Sequence, residues 1–158
     1  MNENLNAQID AFGSRIGNIL SNIDLRPILP TIQQIVDNSI QKNFNEGGRF
    51  GSGRLGGGTN KWKPSKRDQK EKKINSSYGK TLIDTAQLVQ SIRVSVTQSG
   101  SKIIIQAGSN KVYAAIHNFG GKTRGSTEMP KRPYIVLQDE DVQQIISVVA
   151  SHLAKLFL

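Results

Sequence analysis

The spacing of apolar residues in the first third of the chain predicts two amphipathic helices. Between positions 9 and 23 apolar side chains recur every three or four residues, and the same pattern returns between positions 28 and 44. Pro27 and Pro30 stand where the second stripe begins, and a helix tolerates proline in its first turn but not in its interior. We therefore predict a helical hairpin over residues 1–44.

The segment 45–80 has a different character. Seven glycines fall between Gly47 and Gly58, and nine Lys or Arg residues stand against three acids between positions 45 and 73. A segment with so little apolar surface cannot offset the entropy cost of ordering it in isolation. The pattern predicts a long, flexible, basic loop.

Regular patterns return after position 80 and predict an αβ body over residues 81–158. Asp84 and Gln87 have the spacing of a capping box, which makes Asp84 the predicted N-cap of a short helix. The stretches 93–97 and 102–107 are strand-like and flank the turn Ser99-Gly100-Ser101. Two strands joined by so short a turn predict a β-hairpin.

Three further elements complete the predicted body. Residues 112–119 predict a short helix that ends at Gly120-Gly121, where glycine takes the left-handed conformation without strain. Residues 132–137 predict a short apolar strand. The last helix is predicted to begin at the acids 139–141 and to carry His152 and Lys155 in its last turn, as the helix dipole favours.

Taken together, these patterns predict a single α+β domain. Its parts are the N-terminal helical hairpin (1–44), the flexible basic loop (45–80) and the αβ body with a C-terminal helix (81–158). The body is predicted to contain one small antiparallel sheet of three to four strands, with helices packed on one face.

Composition and charge narrow the classes of partner. The chain has 158 residues, which suits one domain, and a formal net charge of +9 from 21 Lys and Arg against 12 Asp and Glu. A basic excess favours nucleic acid or an acidic protein surface over a membrane. The sequence has no apolar run near the ~20 residues that cross a bilayer and no signal-peptide pattern, so we expect no membrane and a cytoplasmic, unprocessed protein.

Nothing in the sequence has the residue pattern of an active site or a metal centre. Cysteine is absent, and neither His117 nor His152 has a carboxylate or second histidine at ligand spacing, although a zinc site needs three or four ligands. The glycine-rich stretch lacks the Gly-Lys-Ser/Thr ending of a phosphate loop, and no GxSxG occurs. Tyr113 and His117 are four residues apart, which predicts a packed pair. We predict no catalytic residues, no metal and no cofactor.

The basic loop carries the strongest compositional signal, and three interpretations of it stay open. It contacts DNA, it contacts another protein, or it is a solvated linker. In a DNA complex its cations would neutralise phosphates and Trp62 would stack on a base. The candidate contact residues are Arg49, Arg54, Lys61, Trp62, Lys63, Lys66, Arg67 and, from the last predicted strand, Arg132.

Three motifs in a fixed order resemble the phage virion-morphogenesis (tail-completion) proteins. Residues 82–92 (LIDTAQLVQSI) resemble the family signature L-x-D-T-G-x-L-x-x-S, with Ala86 where a glycine is usual. Residues 113–121 (YAAIHNFGG) are similar to Y-A-x-x-H-x-x-G-G, and residues 129–135 (MPKRPYI) to x-P-x-R-P-F-L before a terminal helix. Upstream, residues 62–64 (WKP) are similar to a tryptophan segment in a variable basic loop of these proteins.

The resemblance implies a structural role late in virion assembly, in tail completion or at the head–tail junction (neck), and no catalysis. It implies a location in the tail or neck of the virion, and in the host cytoplasm during assembly. The implied partners are other tail or neck proteins and copies of the chain itself in a ring, which needs a head-to-tail contact that closes. Non-specific contact with DNA in the lumen is a further expectation, and a basic DNA-binding accessory protein is the alternative function.

The same resemblance suggests roles for individual residues. We expect Tyr113, His117 and Phe119 to anchor the short helix, and Gly120-Gly121 to let the backbone turn sharply after it. Arg132 is expected to pair with an acid on a neighbouring subunit, next to an extended segment fixed by proline. The residues given structural roles are Asp84, Tyr113, His117, Phe119, Gly120, Gly121 and Pro133.

Overall fold

The computed structural model describes residues 22–49, 61–65, 81–83 and 86–157. Within these ranges the helices are α1 (Leu29–Asn45), α2 (Gln87–Ser91), α3 (Ala114–Phe119) and α4 (Asp139–Phe157), and a 3₁₀ turn, Arg26–Ile28, leads into α1. The strands are β1 (Ile92–Ser99), β2 (Lys102–Ser109), β3 (Gly121–Lys122) and β4 (Glu128–Met129). The predicted α+β class is confirmed.

Helix α1 is the second helix of the predicted hairpin. It begins with Pro30 in its first turn, where the missing N–H costs nothing. Its apolar stripe, Ile32, Val36, Ile40 and Phe44, is buried, and burying each such side chain contributes about 1.5–3 kcal/mol. The first helix of the hairpin was predicted up to position 23 and falls almost wholly outside the described residues.

Strands β1 and β2 form the predicted hairpin. They pair antiparallel from Ile92 opposite Ser109 to Ser99 opposite Lys102, and Gly100 takes a positive φ of 57° in the turn. Val96 is buried and Val94 packs against the core, whereas the residue between them is exposed. The alternation therefore places one face of the hairpin on the core, and α1 packs against both β1 and α4.

The predicted single sheet of three to four strands is wrong for the described residues. They hold two separate two-stranded ladders, β1–β2 and the short β3–β4 pair. The segment 132–137, predicted as a strand, has no ladder partner among them. The N–H groups of Tyr134 and Ile135 donate instead to Asn118 Oδ1, and the carbonyls of Tyr134 and Val136 accept from Asn43 Nδ2. Two side-chain amides thus satisfy the backbone groups that a neighbouring strand would satisfy.

Helix α2 begins two residues later than the capping box predicts. Its first residue is Gln87, and Ala86 before it has φ 56° and ψ 5°, in the left-handed region, with no side-chain cap. Asp84, the predicted N-cap, lies outside the described residues. A left-handed conformation costs a residue with a Cβ about 1–2 kcal/mol. This cost gives a physical reason for the glycine that is usual at this position of the motif.

Three aromatic rings form the centre of the core. Phe44 lies 5.6 Å from Trp62 and 5.1 Å from Tyr134, measured between ring centroids. The Trp62 indole N–H donates to the Pro133 carbonyl at 3.1 Å, and the Tyr134 hydroxyl donates to the Ala114 carbonyl at 2.8 Å. Burial raises the pKa of Tyr134 to about 12. The rings join α1, the 61–65 segment, α3 and the 132–137 segment.

Candidate functional site

Arg49 is a structural residue in this fold and does not lie on an exposed loop. It is 4% exposed, its Nε donates to Asn43 Oδ1 at 2.9 Å, and its Nη2 lies 2.6 Å from Asp141 Oδ2. The same Nη2 donates to Ser39 Oγ at 2.6 Å, and Nη1 donates to Glu140. The predicted contact of Arg49 with DNA or a partner is therefore not supported, because the guanidinium is used to fasten the end of α1 to the start of α4.

Asp141 is the buried anion of this network. Burial alone would raise the pKa of Asp141, but hydrogen bonds from Arg49, Ser39 and the Gln138 N–H outweigh it and hold the pKa below its ordinary value.

The sequence pattern predicted only a helix-dipole role for Asp141. The missed signal was on α1, where Ser39 and Asn43 interrupt a stripe that is otherwise apolar. A buried polar residue needs a partner, so these two positions predict a polar network.

Trp62 and Arg132, also predicted to contact a partner, are largely buried, and Arg132 borders the cavity described below. The Trp62 indole is 7% exposed and belongs to the aromatic core, which leaves no free ring face for a base. Arg132 is 5% exposed, and its Nε donates to the Lys63 carbonyl at 3.0 Å. In the described ranges Arg132 belongs to no ion pair. Burial lowers the pKa of Arg132.

The other predicted contact residues divide into two groups. Lys61 and Lys63 are exposed, and the Lys61 ammonium donates to the Glu46 carbonyl. Arg54, Lys66 and Arg67 lie outside the described residues. Contact of these cations with DNA or with a protein stays a prediction.

A cavity of about 1250 Å³ is bordered by α3, the start of α2, the β3–β4 hairpin and the 61–65 segment. Its basic lining residues are Lys63, His117, Lys131 and Arg132, and Glu128 is the acid among its described lining residues. All four segments that resemble family motifs contribute to it, namely 62–64, 82–92, 113–121 and 129–135. The motifs are far apart in sequence, and the fold brings them together around one space.

His117 and Tyr113 form the packed pair that their spacing predicts. Their rings are 5.8 Å apart in an edge-to-face arrangement, and the His117 carbonyl accepts the Arg132 N–H at 3.0 Å. His117 Nδ1 is buried and has no hydrogen-bond partner in the described part of the chain. Burial, and secondly the charge of Arg132, lower the pKa of His117. Both effects favour the neutral form of the ring.

Gly120 fits only as glycine. Its φ is 74°, and a Cβ there would lie 3.0 Å from both the Lys131 nitrogen and the Met129 carbonyl oxygen. Those contacts are with backbone, which cannot move aside as the end of a flexible side chain can. The sharp turn predicted for the two glycines is thus required by the close approach of residues 129–131, and Gly121 pairs with Met129.

Phe119 does not anchor α3 as predicted. Its side chain is 73% exposed. The core-facing residues of α3 are instead Ala114 and Asn118. Since Phe119 also borders the cavity, it is a candidate contact residue for another molecule.

Two other kinds of site are absent from the described ranges. No group of three or more His, Asp or Glu side chains in them could hold a metal ion. None of their helices is both long enough and apolar enough to cross a membrane.

Comparison with known proteins gives one family. The model of the phage virion morphogenesis family matches residues 14–154. The chain is 30% identical over 128 residues to the Mu-like prophage FluMu G protein 2 of Haemophilus influenzae (strain ATCC 51907 / DSM 11121 / KW20 / Rd), a match that covers 80% of this chain and 76% of that protein. No solved structure matches the chain.

Proposed function

The chain belongs to the phage virion morphogenesis family and has a structural role in phage morphogenesis, and from this premise we propose that it acts in tail completion or at the head–tail junction. It acts through protein–protein contacts and carries out no catalysis. The observation that supports this most strongly is the cavity on which all four motif segments converge, with an exposed aromatic residue at its rim.

The contacts around the cavity favour a fixed binding surface. The 132–137 segment is held by amides of α1 and α3, and Trp62 is fixed by the aromatic core. A surface held this way loses little conformational entropy on binding, which favours affinity.

The assembled form that we propose is a ring of copies around the particle axis. A ring needs two different surfaces on each copy that meet head to tail and close. Light scattering coupled to size-exclusion chromatography, across concentrations and with purified tail or neck proteins, tests this. A closed oligomer of defined size is expected in at least one condition, and a monomer in every condition would refute the ring.

Contact with DNA in the lumen is a further part of the proposal. It would rest on the exposed Lys61 and Lys63 and on Arg54, Lys66 and Arg67, since Arg49 and Trp62 are buried. The alternative function, a DNA-binding accessory protein, would depend on the same cations. The two functions make different predictions: if the chain is only a DNA-binding accessory protein, particles formed without it are complete.

The proposed function is tested by removing the gene from the phage or inducible prophage that encodes it. We expect lysates with heads and tails that do not form infectious particles, seen by electron microscopy and plaque assay, and rescue by the gene in trans. Mixing purified mutant heads with wild-type tails, and the reverse, shows which half carries the defect. Infectious particles of normal number and shape without the gene would refute the proposal.

A further inference from the structure

We propose that the cavity beside Phe119 and Arg132 binds an acidic–apolar segment of a partner protein of the same particle. A carboxylate of that segment pairs with Arg132 and Lys131, and an apolar side chain next to it packs on Phe119. This inference rests on the proposed function, and it specifies the chemistry of the partner at this site.

The charges that border the cavity favour a carboxylate. Lys63, Lys131 and Arg132 line it against Glu128 among the described residues. The Arg132 side chain is 5% exposed and its Nε is occupied by the Lys63 carbonyl, whereas its Nη groups bond to no described residue and are not fully buried. A largely buried arginine side chain without an anion is partly desolvated, and its two accessible Nη groups fit a carboxylate. The partner's acid supplies the missing charge.

The apolar part of the surface accounts for the second half of the recognised segment. Phe119 is 73% exposed and borders the cavity together with Tyr113, and Met129 and Pro130 extend the apolar lining. Aromatic and arginine side chains, set together, are the residues that contribute most to protein–protein affinity. An isolated acid would leave this apolar surface in water, whereas an acid beside a large apolar residue would cover it.

Two other occupants fit the cavity less well. A DNA backbone is contacted by cations and other hydrogen-bond donors. Here the cations Lys63, Lys131 and Arg132 are combined with an apolar lining and with Glu128, for which a phosphate backbone has no counterpart. The chain's own segment 66–80 begins after Ser65 and ends before Thr81, both of which border the cavity. That segment is itself basic, with six Lys or Arg residues against Asp68 and Glu71, so it does not complement the charge of the cavity.

The first test is binding of synthetic labelled peptides that tile the head, neck and tail proteins of the same phage. Each acidic peptide is compared with a copy in which Asn and Gln replace Asp and Glu. We expect peptides with a carboxylate next to a large apolar residue to bind, and their amide copies to bind at least about tenfold more weakly. If no peptide binds, or the amide copies bind equally, the proposal is wrong.

Variants of the protein locate the binding. Phe119→Ser and Lys131→Glu alter exposed residues at the cavity, and we expect each to weaken peptide binding by about tenfold or more. The matched controls are Ile104→Ser and Lys102→Glu on β2, which make comparable chemical changes at other exposed positions and should bind as the wild type does. Equal melting temperatures show that the fold is retained. Equal weakening in the controls, or none at the cavity, would overturn the assignment.

Two further outcomes separate this inference from the proposed function. Peptide binding that appears only after deletion of residues 66–80 would mean that this segment occupies the cavity, and the inference would be wrong. In plaque complementation of the gene deletion, Phe119→Ser and Lys131→Glu should fail where Ile104→Ser and Lys102→Glu succeed. If all four complement, the docking site is wrong while the morphogenesis role stands. If the deletion itself forms normal plaques, the proposed function is wrong.

Discussion

Asn118 and Asn43 hydrogen-bond to the two backbone groups of the same residue. Asn118 Oδ1 accepts the Tyr134 N–H at 3.0 Å, and Asn43 Nδ2 donates to the Tyr134 carbonyl at 3.0 Å. The 132–137 segment is thereby held between α3 and α1 without belonging to a sheet. Arg132 lies at its start, so the two amides also determine where that guanidinium stands at the cavity.

The two hydrogen bonds that Asn118 Oδ1 accepts predict a large loss of stability when this oxygen is removed. Asn118→Ala leaves the N–H groups of Tyr134 and Ile135 without an acceptor, and each unsatisfied buried group costs about 1–3 kcal/mol. We expect the free energy of unfolding, measured by urea denaturation, to fall by about 2–4 kcal/mol. Asn110→Ala, at an exposed asparagine after β2, is the control and should change it little. If the free energy of unfolding falls no more than it does in Asn110→Ala, the hydrogen bonds to Asn118 do not hold the 132–137 segment.

The buried Arg49–Asp141 pair predicts a coupled pair of mutations. Arg49→Met leaves Asp141 as a buried carboxylate without its cation, and we expect a decrease of about 3–5 kcal/mol in unfolding free energy. The double variant Arg49→Met with Asp141→Asn removes that uncompensated charge and should recover part of this stability. Denaturation of the two single variants and the double variant measures the coupling. Strictly additive effects would contradict the role given to this pair.

The left-handed conformation of Ala86 predicts a stabilising substitution. Ala86→Gly relieves the strain at φ 56°, offset in part by the greater freedom of glycine in the unfolded chain. We expect the unfolding free energy to rise by up to about 1 kcal/mol. Ala115→Gly, at an exposed position inside α3, is the matched control and should lower it by about 0.5–1 kcal/mol. Destabilisation by Ala86→Gly would show that the strain is absent.

The lowered pKa of His117 predicts a decrease of stability in mild acid. The folded state favours the neutral ring, so as the pH falls the unfolded chain takes up a proton, at the ordinary pKa of 6.5, before the folded protein does. The stability is therefore full above pH 6.5 and falls as the pH drops below it, until the lower pKa of the folded state is passed. Melting temperatures between about pH 7.5 and 5 test this. In His117→Gln the melting temperature should depend less on pH in that range. If its dependence on pH is unchanged, other groups cause the effect.

The cations of the basic segment predict a salt-dependent affinity for DNA. Replacing Arg54, Lys66 and Arg67 with glutamine changes three residues outside the described ranges, whereas deleting the whole segment 45–80 would also remove the buried Arg49 and Trp62 and so destabilise the fold. For each phosphate that the variant no longer neutralises, the slope of log affinity against log salt should decrease by about 0.9. Fluorescence titrations with duplex DNA measure it. A slope equal to that of the wild type would exclude these three residues as DNA contacts.

Much of the fold follows from local patterns in the sequence. Periodic apolar residues predicted α1 and α4, and alternation about Gly100 predicted the β1–β2 hairpin, because these patterns report which face of one element is buried. The pattern failed at 132–137. A short apolar run is typical of a strand, but whether a ladder partner exists depends on distant residues, here Asn43 and Asn118.

The candidate site was predictable only in part. Motif resemblance singled out His117, Gly120 and Arg132, which the fold brings to one cavity. Composition misassigned Arg49 and Trp62, because a basic, glycine-rich segment gives no sign that two of its side chains reach buried partners on α1, α4 and the 132–137 segment. Phe119 was assigned to the core because large apolar side chains are mostly buried, but the sequence does not show that this one is exposed.

The most direct test of the central claim is complementation in vitro. Extracts of cells that produce the phage without this gene are mixed with the purified protein, and infectious particles are counted. We predict that the extract alone yields almost none and that the protein restores them in proportion to the amount added, since heads and tails are already present. An extract that is fully infectious without the protein would contradict a role in morphogenesis.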